Sequence, residues 1–150
     1  MPGIGKELAM EFKNEHQKLL LNLIYTSNWL KHMDGARLKP FGLSPQQYNI
    51  LRILRGAKGK RMCMQEVLQR MLDRAPNATR LTDKLISKGL VLRERSEADR
   101  RVVHLLISTA GNELLDQIGA HGMDGLEAVA GKLSISEAAA MNLGLDKMRS

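Results

Sequence analysis

Residues 89–108, GLVLRERSEADRRVVHLLIS, constrain this chain more than any other stretch. Two short runs rich in branched and aliphatic residues, LVL and VVHLLI, flank a strongly polar segment. Such a pattern reads as two antiparallel strands, with a connection too long for a tight two-residue turn. Alternation along LVLRER should turn Leu90 and Leu92 inward and Arg93 and Arg95 outward. The tip of the hairpin then carries Asp99, Arg100 and Arg101. Guanidinium groups are costly to bury and well shaped to bind phosphate, so this tip points toward a polyanion.

The segments upstream of the hairpin are helical. GLSPQQYNILRILRG begins with Ser44 as a cap, Pro45 in the first turn and Gln47 completing a capping box. Tyr48, Leu51 and Leu54 form its inner face. Gly56, Gly59, Lys58, Lys60 and Arg61 make a basic loop, and a third helix is expected from about Met62 to Leu72, with Val67, Leu68, Met71 and Leu72 apolar. After Pro76 a fourth helix, NATRLTDKLISK, has Ala78, Leu81, Leu85 and Ile86 on a narrow apolar stripe. Asn77, Thr79, Arg80 and Lys84 occupy the other side, and Gly89 sits where a left-handed cap would end it. Two short helices joined by a turn, the second presenting Asn, Thr, Arg and Lys, form a helix-turn-helix, and the hairpin after it makes the unit a winged helix. The recognition helix would enter the major groove of duplex DNA, while the arginine-tipped wing reaches the adjacent minor groove.

Charge agrees with this division. Residues 1–54 carry 7 Lys/Arg against 4 Asp/Glu, residues 55–101 carry 13 against 6, and residues 102–150 carry 3 against 6. The middle third thus equals the formal net charge of +7 for the whole chain, which suits a polyanion, a solvated face with scattered charges being the other reading of charge alone. A single cysteine excludes a disulfide framework, and no apolar run is long enough to span a bilayer. No basic region followed by an apolar core marks the N-terminus, so we expect a soluble cytoplasmic protein without membrane contact. Four histidines without metal spacing, and one cysteine, make no zinc site, and no cofactor motif is present. Cys63, between Met62 and Met64, reads as packing, as does His104 on its strand; the nine methionines read as core and interface filler.

From Leu43 to Leu115 the chain resembles the MarR family of bacterial transcription regulators. The resemblance rests on GLSPQQYNILRIL, on TRLTDKLISKGLVLRER, on the wing signature Asp99-Arg100-Arg101, and on HLLISTAG leading into a helix. It implies a homodimer of triangular shape. It also implies that Arg101 approaches the minor groove and that Asp99 holds it by a charged hydrogen bond. Family members often respond to small aromatic or phenolic acids held between the dimerisation helices and the wing lobe. Two positions depart from the pattern: RMCM offers only Cys63 as a cap for the third helix, and Ser108 stands in place of the usual threonine.

The ends of the chain leave room for such a dimer. Ile4, Leu8, Phe12, Leu19, Leu23, Leu30 and Met33 keep helical spacing and predict one helix of roughly 30 residues over 4–37. Pro40 and Gly42 end it. Beyond Ser108, Leu114, Leu115, Ile118, Leu126, Val129 and Leu133 hold a helical rhythm that Gly119, Gly122 and Gly125 weaken. Ser134 and Glu137 are spaced as a capping box for a last helix. The expected fold is therefore mainly α with a small β-hairpin wing, a single domain over 1–150. Its winged helix-turn-helix lobe covers about 43–108, with long dimerisation helices at about 4–37 and 109–149. The expected function is that of a dimeric repressor, ligand-responsive and specific for a pseudo-palindromic double-stranded DNA site. An RNA-binding winged helix is the alternative, weakened because none of the five aromatic residues lies beyond Tyr48 to stack on bases. An enzyme built on Cys63 and a histidine lacks any nucleophile motif or phosphate loop.

Overall fold

A computed structural model describes residues 3–74, 76–120 and 126–150. In chain order the elements are α1 (Ile4–Glu7), α2 (Glu15–Leu38), a 3-10 turn (Lys39–Phe41), α3 (Pro45–Gly56), β1 (Met62–Cys63), α4 (Met64–Arg70), α5 (Ala78–Ser87), β2 (Val91–Arg95), β3 (Val103–Ile107), α6 (Thr109–Ala120), α7 (Leu126–Ala130) and α8 (Ile135–Met148). The chain is mainly helical with one small antiparallel sheet in the order β1-β3-β2. β2 and β3 form the expected hairpin, from Val91 opposite Ile107 to Arg95 opposite Val103. β1 adds a third strand, Met62 opposite Leu105 and Cys63 opposite His104.

One core holds the lobe together. Leu38, Ile50, Leu51, Val67, Leu85 and Val91 are its largest fully buried side chains, drawn from α2, α3, α4, α5 and β2. Burying each is worth about 1.5–3 kcal/mol. Leu115 and Ile118 of α6 belong to the same cluster, so α6 begins as part of the lobe. The local signals at element ends act as expected. Ser44 and Gln47 exchange both capping hydrogen bonds, as do Ser134 and Glu137. Gly89 closes α5 at φ +73°.

Four expectations change. The N-terminal helix is not continuous: α1 ends at Glu7, Ala9 takes a left-handed φ of +50°, and α2 restarts where the Asn14 side chain accepts the Gln17 N–H at 2.9 Å. The third helix starts two residues late, because Met62 and Cys63 pair with β3 first, and Leu72 lies beyond its end, 93% exposed. In β2 it is Val91 that enters the core, so Leu92 faces out, half exposed. The C-terminal stretch over 109–149 is three helices rather than one or two, and the expectations placed on His121, Gly122 and Gly125 lie outside the described residues.

Both ends leave apolar surface uncovered. Leu19, Leu20, Ile24 and Trp29 of α2 are exposed, and α8 buries none of its residues although it carries Ile135, Met141, Leu143 and Met148. No helix among the described residues is long and apolar enough to cross a membrane.

Candidate nucleic-acid interface

α5 is held by its inner face. Ala78 and Leu85 are buried as the stripe predicts, while Leu81 and Ile86 are only half-buried. The third fully buried position is Thr82, which the polarity of its side chain concealed. Its hydroxyl donates back to the Ala78 carbonyl at 2.9 Å, inside its own helix, so no polar group is stranded in the core. With this face fixed, Asn77, Thr79, Arg80 and Lys84 all stand exposed on the opposite side. Asn77 starts the helix without a side-chain capping bond. Among the described residues, Arg80 and Lys84 form no ion pair. Their neighbour Asp83 is taken by Arg93 of β2, which removes the one acid from this face and ties the hairpin to the helix.

The wing is a built loop. Ser96 N–H donates to Val102 O at 3.0 Å and Val102 N–H to Asp99 O at 3.0 Å, which closes the loop at its neck. Asp99 Oδ1 accepts the backbone N–H of Arg101 at 3.0 Å. The acid thus fixes the main chain of Arg101, and among the described residues it makes no ion pair with the Arg101 guanidinium. Arg100 and Arg101 are both exposed. Arg95, exposed as an outward charge, donates to the Arg100 carbonyl at 3.4 Å and so braces the tip. A polar concavity lined by Arg95, Ser96, Glu97 and Arg100 lies beside it.

Supporting contacts place these two parts. Cys63 caps α4 through its backbone: its N–H donates to Glu66 Oε2 at 2.8 Å, which holds the Glu66 carboxyl below its ordinary range. Ser108, in place of threonine, does what the position needs. Its hydroxyl accepts the Gly111 N–H at 3.0 Å and donates to Gly89 O at 2.6 Å, so one side chain joins the end of α5 to the start of α6. His104 lies between Cys63 and Glu94 across the sheet, and its Nδ1 is buried without a hydrogen-bond partner among the described residues. No group of His, Cys, Asp or Glu among the described residues is placed to hold a metal ion.

Residues 35–118 match the family model of the transcriptional regulator SarA/Rot. The chain belongs to this family. The matched span runs from the end of α2 to the end of the core part of α6 and includes both the helix-turn-helix and the wing. A MarR transcription factor from Planctomyces limnophilus is 32% identical, covering 91% of this chain and 98% of that one, with a TM-score of 0.69. The chain therefore belongs with the MarR winged-helix family as well. A MarR variant from E. coli, crystallised with operator DNA, is 27% identical over 86% of this chain and 92% of that chain, with a TM-score of 0.70. The HTH-type regulator YkoM of Bacillus subtilis is 33% identical over 82 residues. That match takes in 53% of this chain and only 51% of YkoM, so the chain spans about half the length of this curated relative.

Proposed function

We propose that this SarA/Rot-family regulator is a cytoplasmic homodimer that binds a pseudo-palindromic duplex DNA site and represses transcription from it. The observation that carries the proposal is the selective state of the charges on α5. Arg80 and Lys84 stand exposed beside Asn77 and Thr79, while Asp83, the acid among them, is neutralised by Arg93. A helix of about 10–12 Å diameter fits a major groove about 12 Å wide. In that pose Asn77, Thr79, Arg80 and Lys84 read base edges, Arg101 lies at the minor groove, Arg100 meets phosphate, and Asp99 shapes the turn that presents them. The operator complex of the E. coli MarR variant supports this pose by analogy of fold.

The dimer follows from the uncovered apolar faces of α2 and α8, which a second copy would bury. In this reading residues 43–108 form the DNA-binding lobe, and the helices within 4–37 and 109–149 form the subunit interface, except that α6 starts inside the lobe. A small aromatic effector acting between the two is part of the proposal on the resemblance to MarR regulators alone, and no residue is assigned to it.

The test is to recover genomic fragments that bind the full chain and to read their common sequence. An inverted repeat with half-sites about 10 base pairs apart is expected, bound by a protein that already sediments as a dimer. Equal affinity for random duplex, or a preference for single strands, would overturn the reading in favour of a non-specific or RNA-binding protein.

A further inference from the structure

The recognition helix is tied at its far end to the segment that joins it to the terminal helices. Lys88, exposed at the C-cap of α5, donates its ammonium to the carbonyl of Gly42 at 2.6 Å. Gly42 follows the 3-10 turn that leads from α2 to α3. It sits at φ +69°, a left-handed turn that glycine permits and that aims its carbonyl at Lys88.

This connector is itself rigid. Arg37, near the end of α2, donates through Nε and Nη2 to Asp34 Oδ1 at 3.2 and 2.6 Å. The same guanidinium lies over the Tyr48 ring of α3, 5.0 Å from its centroid. Asp34 is buried, and Leu38 and Leu43 bracket the turn inside the core. Arg37 therefore locks α2 to α3, and Lys88 fastens α5 to the elbow between them.

We propose that the Lys88–Gly42 contact sets the half-site spacing that this protein accepts, making Lys88 a positioning residue for DNA recognition. The inference rests on the dimeric, duplex-binding reading above. Its reason is leverage. α5 has 10 residues, about 15 Å of helix, and its base-reading residues Asn77, Thr79 and Arg80 lie at the end away from Lys88. A tilt of about 13° at the Lys88 end moves the other end by about 3.4 Å, one base-pair rise. In a two-fold dimer both helices tilt together, so a small freedom at this pivot changes spacing by more than one base pair.

The experiment uses the full chain and the duplex recovered from genomic fragments, together with versions whose central spacer is one or two base pairs shorter or longer. Wild type should prefer its own spacer by about tenfold or more over its neighbours. Lys88→Met keeps the aliphatic stem and removes the donor. It should bind the best spacer several-fold less tightly and prefer it over its neighbours by less than about threefold. Lys88→Arg, which can still donate to Gly42 O, should restore the preference. Gly42→Ala leaves the charge in place but strains the left-handed turn whose carbonyl accepts the ammonium, and should broaden spacing as Lys88→Met does; melting curves confirm that each variant is folded. A uniform loss across all spacers in Lys88→Met, or an unchanged or sharpened preference, overturns the positioning role and leaves Lys88 a general charge. If wild type itself selects no paired half-sites, it is the functional reading that fails.

Discussion

Replacing Gly111 by alanine should destabilise the protein by about 1–3 kcal/mol, although alanine is the better helix former. Gly111 lies in the first turn of α6, where an added Cβ would press into the Leu90 carbonyl oxygen and lie 2.7 Å from Ile107 Cγ1. The Leu90 carbonyl cannot swing away, because it accepts the Ser108 N–H at 3.0 Å and its chain continues directly into β2. α6 must retreat instead. That retreat stretches the 3.0 Å bond from Gly111 N–H to the Ser108 hydroxyl, a cap worth about 1 kcal/mol. Overpacking adds about 1–3 kcal/mol, and the helix propensity of alanine returns about 1. For a chain of this size the melting temperature should fall by about 3–10 °C. Thermal unfolding followed by circular dichroism measures this, at one fixed protein concentration, because the melting point of a dimer depends on it. Gly56→Ala is the matched control: it is exposed at the end of α3, within the lobe, with nothing near its Cβ position, and should be neutral or stabilising by up to about 1 kcal/mol. A Gly111→Ala protein that melts at or above wild type would refute the packing argument.

Four further predictions concern the interface and its supports. Arg80→Ala should cost about 1–3 kcal/mol on the selected duplex and less on random duplex, measured by titration at fixed salt; an equal loss on both would assign Arg80 to phosphate alone. Arg101→Ala should weaken operator binding with little change in melting temperature. Asp99→Ala, which removes a negative charge near DNA, should weaken it as well, because the Arg101 main chain loses its anchor; tighter binding would leave Asp99 with no positioning role. The carboxyls of Glu66 and Glu137 are held low chiefly by the backbone N–H groups of Cys63 and Ser134. Their stabilising effect is complete above the ordinary value of 4.5 and is lost as pH falls below it, so Glu66→Gln should flatten the acid side of a stability-versus-pH curve measured with urea.

What the sequence disclosed follows from the range of the forces involved. The capping boxes at Ser44 and Ser134 and the left-handed Gly89 were legible because each depends on residues three or four apart. The exposed face of α5 was legible because burying Ala78 and Leu85 leaves Arg80 and Lys84 outside. The break before α2 was hidden because Leu8 and Phe12 stay in phase with the helix beyond it, and only the Asn14 cap marks the restart. β1 has two residues and no strand signal of its own; its partner Leu105 lies 43 positions away. The inward residue of β2 was displaced by one position, to Val91, and in a strand a shift of one exchanges the two faces. The pairing of Asp83 with Arg93 was hidden because the two lie on different elements, ten positions apart.

The wing has a consequence for the cost of association. A charged loop of this length, if loose, would have to be ordered on contact, at about 1–2 kcal/mol per residue fixed. Here Ser96, Asp99 and Val102 have already ordered the backbone through hydrogen bonds within the loop. In the proposed complex the side-chain rotamers of Arg100 and Arg101 remain to be restricted, at about 0.5–1.5 kcal/mol each. The entropy of forming the hairpin tip is thus spent during folding, and binding begins from a loop already shaped for its target.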